Sequence, residues 1–181
     1  MESDCYIEGL ATTFDKPYPL YDLDGVQYYE CISSRALDDA DMSDVILQYD
    51  HQGKVLARMS NQTLIVEPTE DGLFVAADLS RSAAAKDLYE EIENGLVSKM
   101  SWAFTVGDEE YDRKTRIRTI RKIKKVYDVS AVSLPANEST DISARNFAEG
   151  RAEAERLEQL ERRKRALLLK IKIGGTELWR D

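Results

Sequence analysis

The chain has one histidine, His51, and two cysteines, Cys5 and Cys31. Structural zinc sites draw on clusters of thiolate and imidazole ligands, so a zinc centre is not expected. Two separated cysteines are no disulfide framework; they read as free, small hydrophobic residues in a reducing compartment. Asp22, Asp24 and Gly25 look like the start of a calcium loop, but the later ligands are missing and a turn is the reading. Neither metal nor cofactor is expected. No apolar run approaches the roughly 20 residues that cross a bilayer, and Met1-Glu2-Ser3-Asp4 lacks the basic-then-apolar layout of a secretory signal. The expectation is a cytoplasmic protein with no membrane association.

Positive charge is scarce where it would matter for nucleic acid. The net charge is −9. Residues 1–100 carry 7 basic and 20 acidic side chains, and residues 101–181 carry 18 and 14. An acidic body does not attract a phosphate backbone. The basic stretch Arg113–Lys125 alternates with Ile and Thr as a solvated strand does, so no nucleic-acid partner is expected. Hydrophobic residues at 43% and charged residues at 33% are ordinary for a globular domain.

Short strands separated by turn chemistry fill the body. Tyr6–Phe14 is strand-like; Pro17 and Pro19 interrupt before the Asp22–Gly25 turn; Gln27–Ser34 is rich in β-formers. After an acidic connection, Asp38–Asp44, a strand over Val45–Tyr49 leads into Asp50-His51-Gln52-Gly53. Leu64–Pro68 and Leu73–Leu79 flank Glu70-Asp71-Gly72, a hairpin signal. Ser80 or Ser82 then caps a helix whose stripe is Ala85, Leu88, Tyr89, Ile92 and Leu96, with Asn94-Gly95 at its end. Ser101–Val106 and Val126–Leu134 alternate again around a charged hairpin. From about Ser143 the composition changes: ten of the fifteen residues Arg151–Arg165 are charged, and Leu157, Leu160, Leu167 and Ile171 form a thin stripe. This predicts a folded body over 1–142 and an amphipathic helical extension over 143–181 that meets a partner, pairs with a copy of itself or lies on the body.

A single histidine shortens the search for chemistry. Any Ser–His or Cys–His mechanism must use His51, because only imidazole titrates near neutrality without strong perturbation. Val45, Leu47, Tyr49 and His51 are read on one strand face, placing the ring at a strand end. Among thirteen serines, Ser101 stands out. One face of its strand is Trp102, Phe104 and Val106, and the other is the small set Ser101, Ala103 and Thr105, which leaves room for a peptide to reach a hydroxyl. Asp128 interrupts an apolar face read as Val126, Val132 and Leu134; it either orients His51 or pairs with Arg118 or Arg121. Taken alone, each residue also has a bland reading: a turn histidine, a small wall residue, a salt-bridge carboxylate. A cysteine hydrolase using Cys5 or Cys31 is the weaker alternative, since no helix terminus stands by Cys31 to lower its pKa.

Several ordered motifs resemble the prohead maturation proteases of tailed phages and, beyond them, the herpesvirus assemblin proteases. They are Tyr6-Ile7-Glu8-Gly9-Leu10-Ala11, Leu47-Gln48-Tyr49-Asp50-His51, Lys99-Met100-Ser101-Trp102-Ala103-Phe104, and Tyr127 through Asn137. The resemblance implies an α+β fold, a mostly antiparallel β-barrel with flanking helices, plus the C-terminal helix. It implies a serine endopeptidase that cleaves scaffold or the scaffolding arm of the capsid protein inside the assembling procapsid, in the host cytoplasm, and also cleaves itself. His51 and Ser101 align with the family's base and nucleophile. Asp128 falls where the family usually has glutamate, and the assemblins' second histidine has no counterpart here. Backbone amides near Pro135-Ala136-Asn137, or a water held by Arg118 or Arg121, stand as alternatives for the oxyanion hole. The contrasting reading is a catalytically silent capsid-assembly module on the same fold.

Overall fold

The computed structural model describes residues 3–135, 137 and 139–145. The helix read over 143–181 lies, from residue 146 onward, outside the described residues. In chain order the strands are β1 (Tyr6–Thr13), β2 (Tyr18–Leu23), β3 (Val26–Ile32), β4 (Ile46–Tyr49), β5 (Gln52–Arg58), β6 (Leu64–Pro68), β7 (Gly72–Asp78), β8 (Lys99–Asp112), β9 (Ile117–Val132) and β10 (Asp141–Arg145), with helix α1 (Ala83–Glu93) between β7 and β8.

The strands form two sheets. One has the order β10-β1-β7-β6 and is antiparallel throughout. The other has the order β2-β3-β9-β4-β5, with β8 paired to β9. The closed barrel expected from the resemblance is therefore corrected to two open sheets with one short helix among the described residues. Two pairings in the second sheet, β3 with β9 and β4 with β9, are parallel.

Strand β9 organises the second sheet. Along one edge it pairs with β8 from end to end, as the two arms of a long hairpin. Its other edge receives β3 at Ile117–Ile120 and β4 at Asp128–Ala131. A shared core lies beneath: Ile7, Leu73 and Val75 from the first sheet, Ile32, Leu47, Ile120, Ile123 and Val129 from the second, and Ala85, Leu88, Tyr89 and Ile92 from α1. Each fully buried aliphatic side chain stabilises the fold by about 1.5–3 kcal/mol relative to exposure. Ile120 and Ile123 of the basic stretch thus face the core. Four of its cations make ion pairs instead: Lys122 with Asp39, Lys125 with Asp41, Arg121 with Glu110, and Arg118 with both Glu30 and Glu109.

Turn residues do what their chemistry allows. Asp24 and Gly25, both at positive φ, close the β2–β3 hairpin, and Asp22 Oδ1 accepts from Gly25 N at 2.9 Å. Gly72 has a second duty beyond the β6–β7 turn, because any Cβ there would run into the backbone carbonyl of Thr12 on β1. Ser82 caps α1, accepting from Ala85 N at 3.2 Å, and Asn94 ends it before Gly95 turns left-handed.

Four local expectations are revised. Leu96, assigned to the helix stripe, is 76% exposed because α1 stops at Glu93 and Gly95 redirects the chain. Pro19, read as an interruption, sits inside β2, an edge strand where a missing N–H costs nothing. Strand β5 follows His51 directly, where only a turn was read. Simple alternation puts Val126 and Asp128 on one strand face, but Ala103 pairs with Asp128 while Phe104 pairs with Val126. Tyr127 is thus an extra residue, a bulge that switches the faces. Val126 and Val129, three apart, both face the core, and Asp128 points the other way with Ser130.

Candidate active site

His51 occupies a two-residue hairpin turn. Tyr49 of β4 pairs with Gln52 of β5, and the residues between, Asp50 and His51, have φ of 48° and 57°. Two successive positive φ values match the twist of the flanking strands, which is why such loops favour Asn-Gly or Asp-Gly. This chain has Asp-His instead, so a residue with a Cβ occupies the position glycine usually fills. The orientation of the ring follows from the turn; the strand face shared with Val45, Leu47 and Tyr49 in the sequence reading ends at the turn.

The turn leans on the end of β9. Asp50 N donates to Ala131 O at 3.0 Å, and His51 N donates to Ser130 Oγ at 3.2 Å. His51 Nδ1 lies 2.7 Å from Asp128 Oδ1. A carboxylate can only accept, so the proton sits on Nδ1 and leaves Nε2 with a free lone pair. The His51 side chain is 35% exposed and that of Asp128 10%, so the ring can be reached while its partner is shielded. The hydrogen bond to Asp128 lifts the His51 pKa above its ordinary value; partial burial opposes this, and the charges of Asp128 and Asp50 add to it. Of the two partners considered for Asp128, the histidine is the one it meets; Arg118 and Arg121 are held by glutamates.

Ser130 was not singled out by the sequence reading. It is fully buried, donates to Asp128 Oδ1 at 2.8 Å and accepts from the His51 backbone. One hydroxyl thereby ties the carboxylate to the turn that carries its imidazole. The signal was present: Asp128 and Ser130, two apart on a strand, share a face.

Ser101 stands on β8 directly across from Ser130 of β9, while Gln48 of β4 stands across Ser130 on the other edge. Ser101 and the β4–β5 turn are therefore about two strand spacings apart, roughly 10 Å, with Ser130 between them. Ser101 is half-buried, and its strand neighbours Trp102 and Phe104 face the core, with ring centroids 4.3 Å apart. Register thus sets Ser101 opposite Ser130, the residue that bonds both the His51 backbone and Asp128. Among the described residues no hydrogen bond joins its hydroxyl to the imidazole, a contact that often tightens only when substrate is bound.

Other candidates lie elsewhere or are occupied. Cys31 is buried in β3, and burial pushes its thiol pKa up; Cys5, half-buried, is shifted the same way and for the same reason. Neither favours a thiolate nucleophile. Asn137 is buried, and with Tyr18 and Glu30 it lines a cavity of about 60 Å³ beside Ser101. Tyr18 donates to Glu30 there, and burial with that charge drives its pKa far up, keeping the phenol protonated.

No curated protein matches the chain. The family model described as caudovirus prohead serine protease matches residues 1–153, a span that includes His51, Ser101, Asp128 and Ser130. The chain therefore belongs to the caudovirus prohead serine protease family.

Proposed function

We propose that this chain is a serine endopeptidase of procapsid maturation in which Ser101 is the nucleophile, His51 the general base and Asp128 the group that orients it. The observation that carries the reading is the 2.7 Å contact from His51 Nδ1 to Asp128 Oδ1 on the strand that also presents Ser130 across from Ser101. His51 Nε2 takes the Ser101 proton as Oγ attacks the scissile carbonyl. Asp128 stabilises the imidazolium that forms, and the imidazolium then protonates the departing amine. A water molecule, deprotonated by the same imidazole, hydrolyses the acyl-enzyme and returns Ser101 to its starting state. The shorter carboxylate at a usual glutamate position reaches the imidazole because the bulge at Tyr127 turns Asp128 toward the β4–β5 turn.

The substrates on this reading are scaffold protein, or the scaffolding arm of the capsid protein, inside the assembling procapsid in the host cytoplasm, together with the protease itself. The segment after the body, read over 143–181, serves delivery or self-association. Coexpression with the cognate capsid and scaffold proteins, read by mass spectrometry, tests the proposal. New termini in the partner proteins that vanish with Ser101→Ala support it. Intact partners, with no labelling of Ser101 by a serine-reactive phosphonate, would instead favour a silent assembly module.

A further inference from the structure

The turn that carries His51 has a fastening that the catalytic roles leave unused. Asp50 Oδ1 accepts from Ser133 N at 3.0 Å, and Asp50 Oδ2 accepts from Ser133 Oγ at 2.7 Å. Ser133 is exposed and Asp50 half-buried. Water could satisfy both, so burial does not require the pair. The backbone does give it a purpose. Asp50 and His51 stand consecutively at positive φ, a conformation that side-chain-bearing residues adopt reluctantly and that persists only where the surroundings impose it. With Asp50 N on Ala131 O and His51 N on Ser130 Oγ, the two residues of the turn make four hydrogen bonds to 130–133, the end of β9 and the residue after it. Asp128, the partner of the imidazole, stands two residues before Ser130 on the same strand.

We infer that Asp50 and Ser133 are positioning residues, a two-point clamp that holds the Asp50-His51 turn left-handed so that the imidazole meets Asp128 and faces Ser101. The inference rests on the reading of His51 as the base. Asp128 from β9 and Asp50 from the turn itself are the charged groups acting on the ring. The clamp therefore works in two ways: both residues fix where the ring sits, and Asp50 also adds a negative charge that favours the imidazolium.

The test uses the full chain with Ser133→Ala, Ser133→Thr and Asp50→Asn. Asparagine tolerates the left-handed region well, so Asp50→Asn removes the charge and weakens the clamp without adding backbone strain. Four quantities are measured: kcat and KM on a peptide substrate, melting temperature, and the titration of His51 by proton NMR, which a single histidine makes unambiguous. Misplacing a catalytic group by about 1 Å can cost on the order of 100-fold. The expected result for Ser133→Ala is kcat lowered on the order of 10- to 100-fold at nearly constant KM. Asp50→Asn should do the same and also move the His51 titration to lower pH, while Ser133→Thr, which keeps a hydroxyl, should restore most of the rate. An unchanged kcat and titration in both Ser133→Ala and Asp50→Asn overturns the clamp, as does a loss of melting temperature alone with normal kcat below it. Should Ser101→Ala remain active while the His51 titration still responds to Asp50→Asn, the clamp stands and the catalytic assignment falls.

Discussion

His51 Nδ1 and Asp128 Oδ1 stand 2.7 Å apart across 77 residues of chain. Strand β4 delivers the histidine by running parallel to the end of β9, Ile46 beside Asp128 and Tyr49 beside Ala131, so that its hairpin turn overhangs the carboxylate. Ser130 closes the arrangement from beneath. The imidazole is thus held by side chain and backbone together, with its second nitrogen left to act.

Removing the carboxyl charge should cost rate more than stability. Asp128→Asn is predicted to lower kcat by about 10²–10⁴-fold, through loss of the correct tautomer. Asp128→Glu should retain measurable activity. Steady-state kinetics beside thermal unfolding separates the outcomes: a lowered melting temperature with kcat intact would make Asp128 a purely structural partner.

Ser101→Ala and His51→Ala should each abolish proteolysis and leave the fold intact, since neither side chain belongs to the core. Groups acting as one unit are not additive, so the double variant should be no slower than either single one. Cleavage retained by Ser101→Ala would sink the nucleophile assignment.

The raised His51 pKa makes two pH predictions of known sign. A base must be neutral, so activity should rise with pH through a limb lying above the ordinary histidine value of about 6.5. Asp128→Asn should shift that limb downward. Stability runs the other way: a histidine pKa raised by folding contributes stability that is fully present below about 6.5 and lost as pH rises through the folded-state value. Melting curves of wild type and Asp128→Asn from acid to alkaline pH should therefore converge as pH rises past that value.

Gly72→Ala should destabilise the body by about 1–3 kcal/mol, because the added methyl meets the Thr12 backbone rather than a side chain that can move aside. Its kcat at low temperature should be near wild type, since β7 belongs to the other sheet from Ser101 and Asp128. Chemical denaturation gives the number; a change under about 0.5 kcal/mol, the range of an inconsequential surface substitution, would mean that β1 yields at that point.

Strand β10 pairs with β1 as far as Arg145 opposite Tyr6, so the boundary read after residue 142 falls inside a strand. A chain ending at Arg145 is predicted to fold and cleave an accessible peptide but to fail at packaging into procapsids. One ending at 142 should melt at a lower temperature, having lost three of the five β1–β10 partners. Normal packaging of the chain ending at Arg145 would remove the delivery role from the remainder.

Much of this protein was legible in its sequence, and for local reasons. A single histidine left one candidate for the base; alternation around Ser101 separated a core face from a small-residue face; Asp-Gly and Asn-Gly pairs marked turns, because few residues adopt positive φ cheaply. What sequence could not supply was whatever depends on a partner strand. Only the pairing register puts Ser130 across from Ser101, and only the bulge at Tyr127 takes Asp128 off the face of Val126 and turns it to His51. Alternation read along one strand assumes an unbroken pleat, and a bulge breaks that assumption without any residue that announces it. The clamp from Asp50 to Ser133 is of the same kind: two ordinary polar residues, 83 positions apart, become partners because β4 and β9 end side by side.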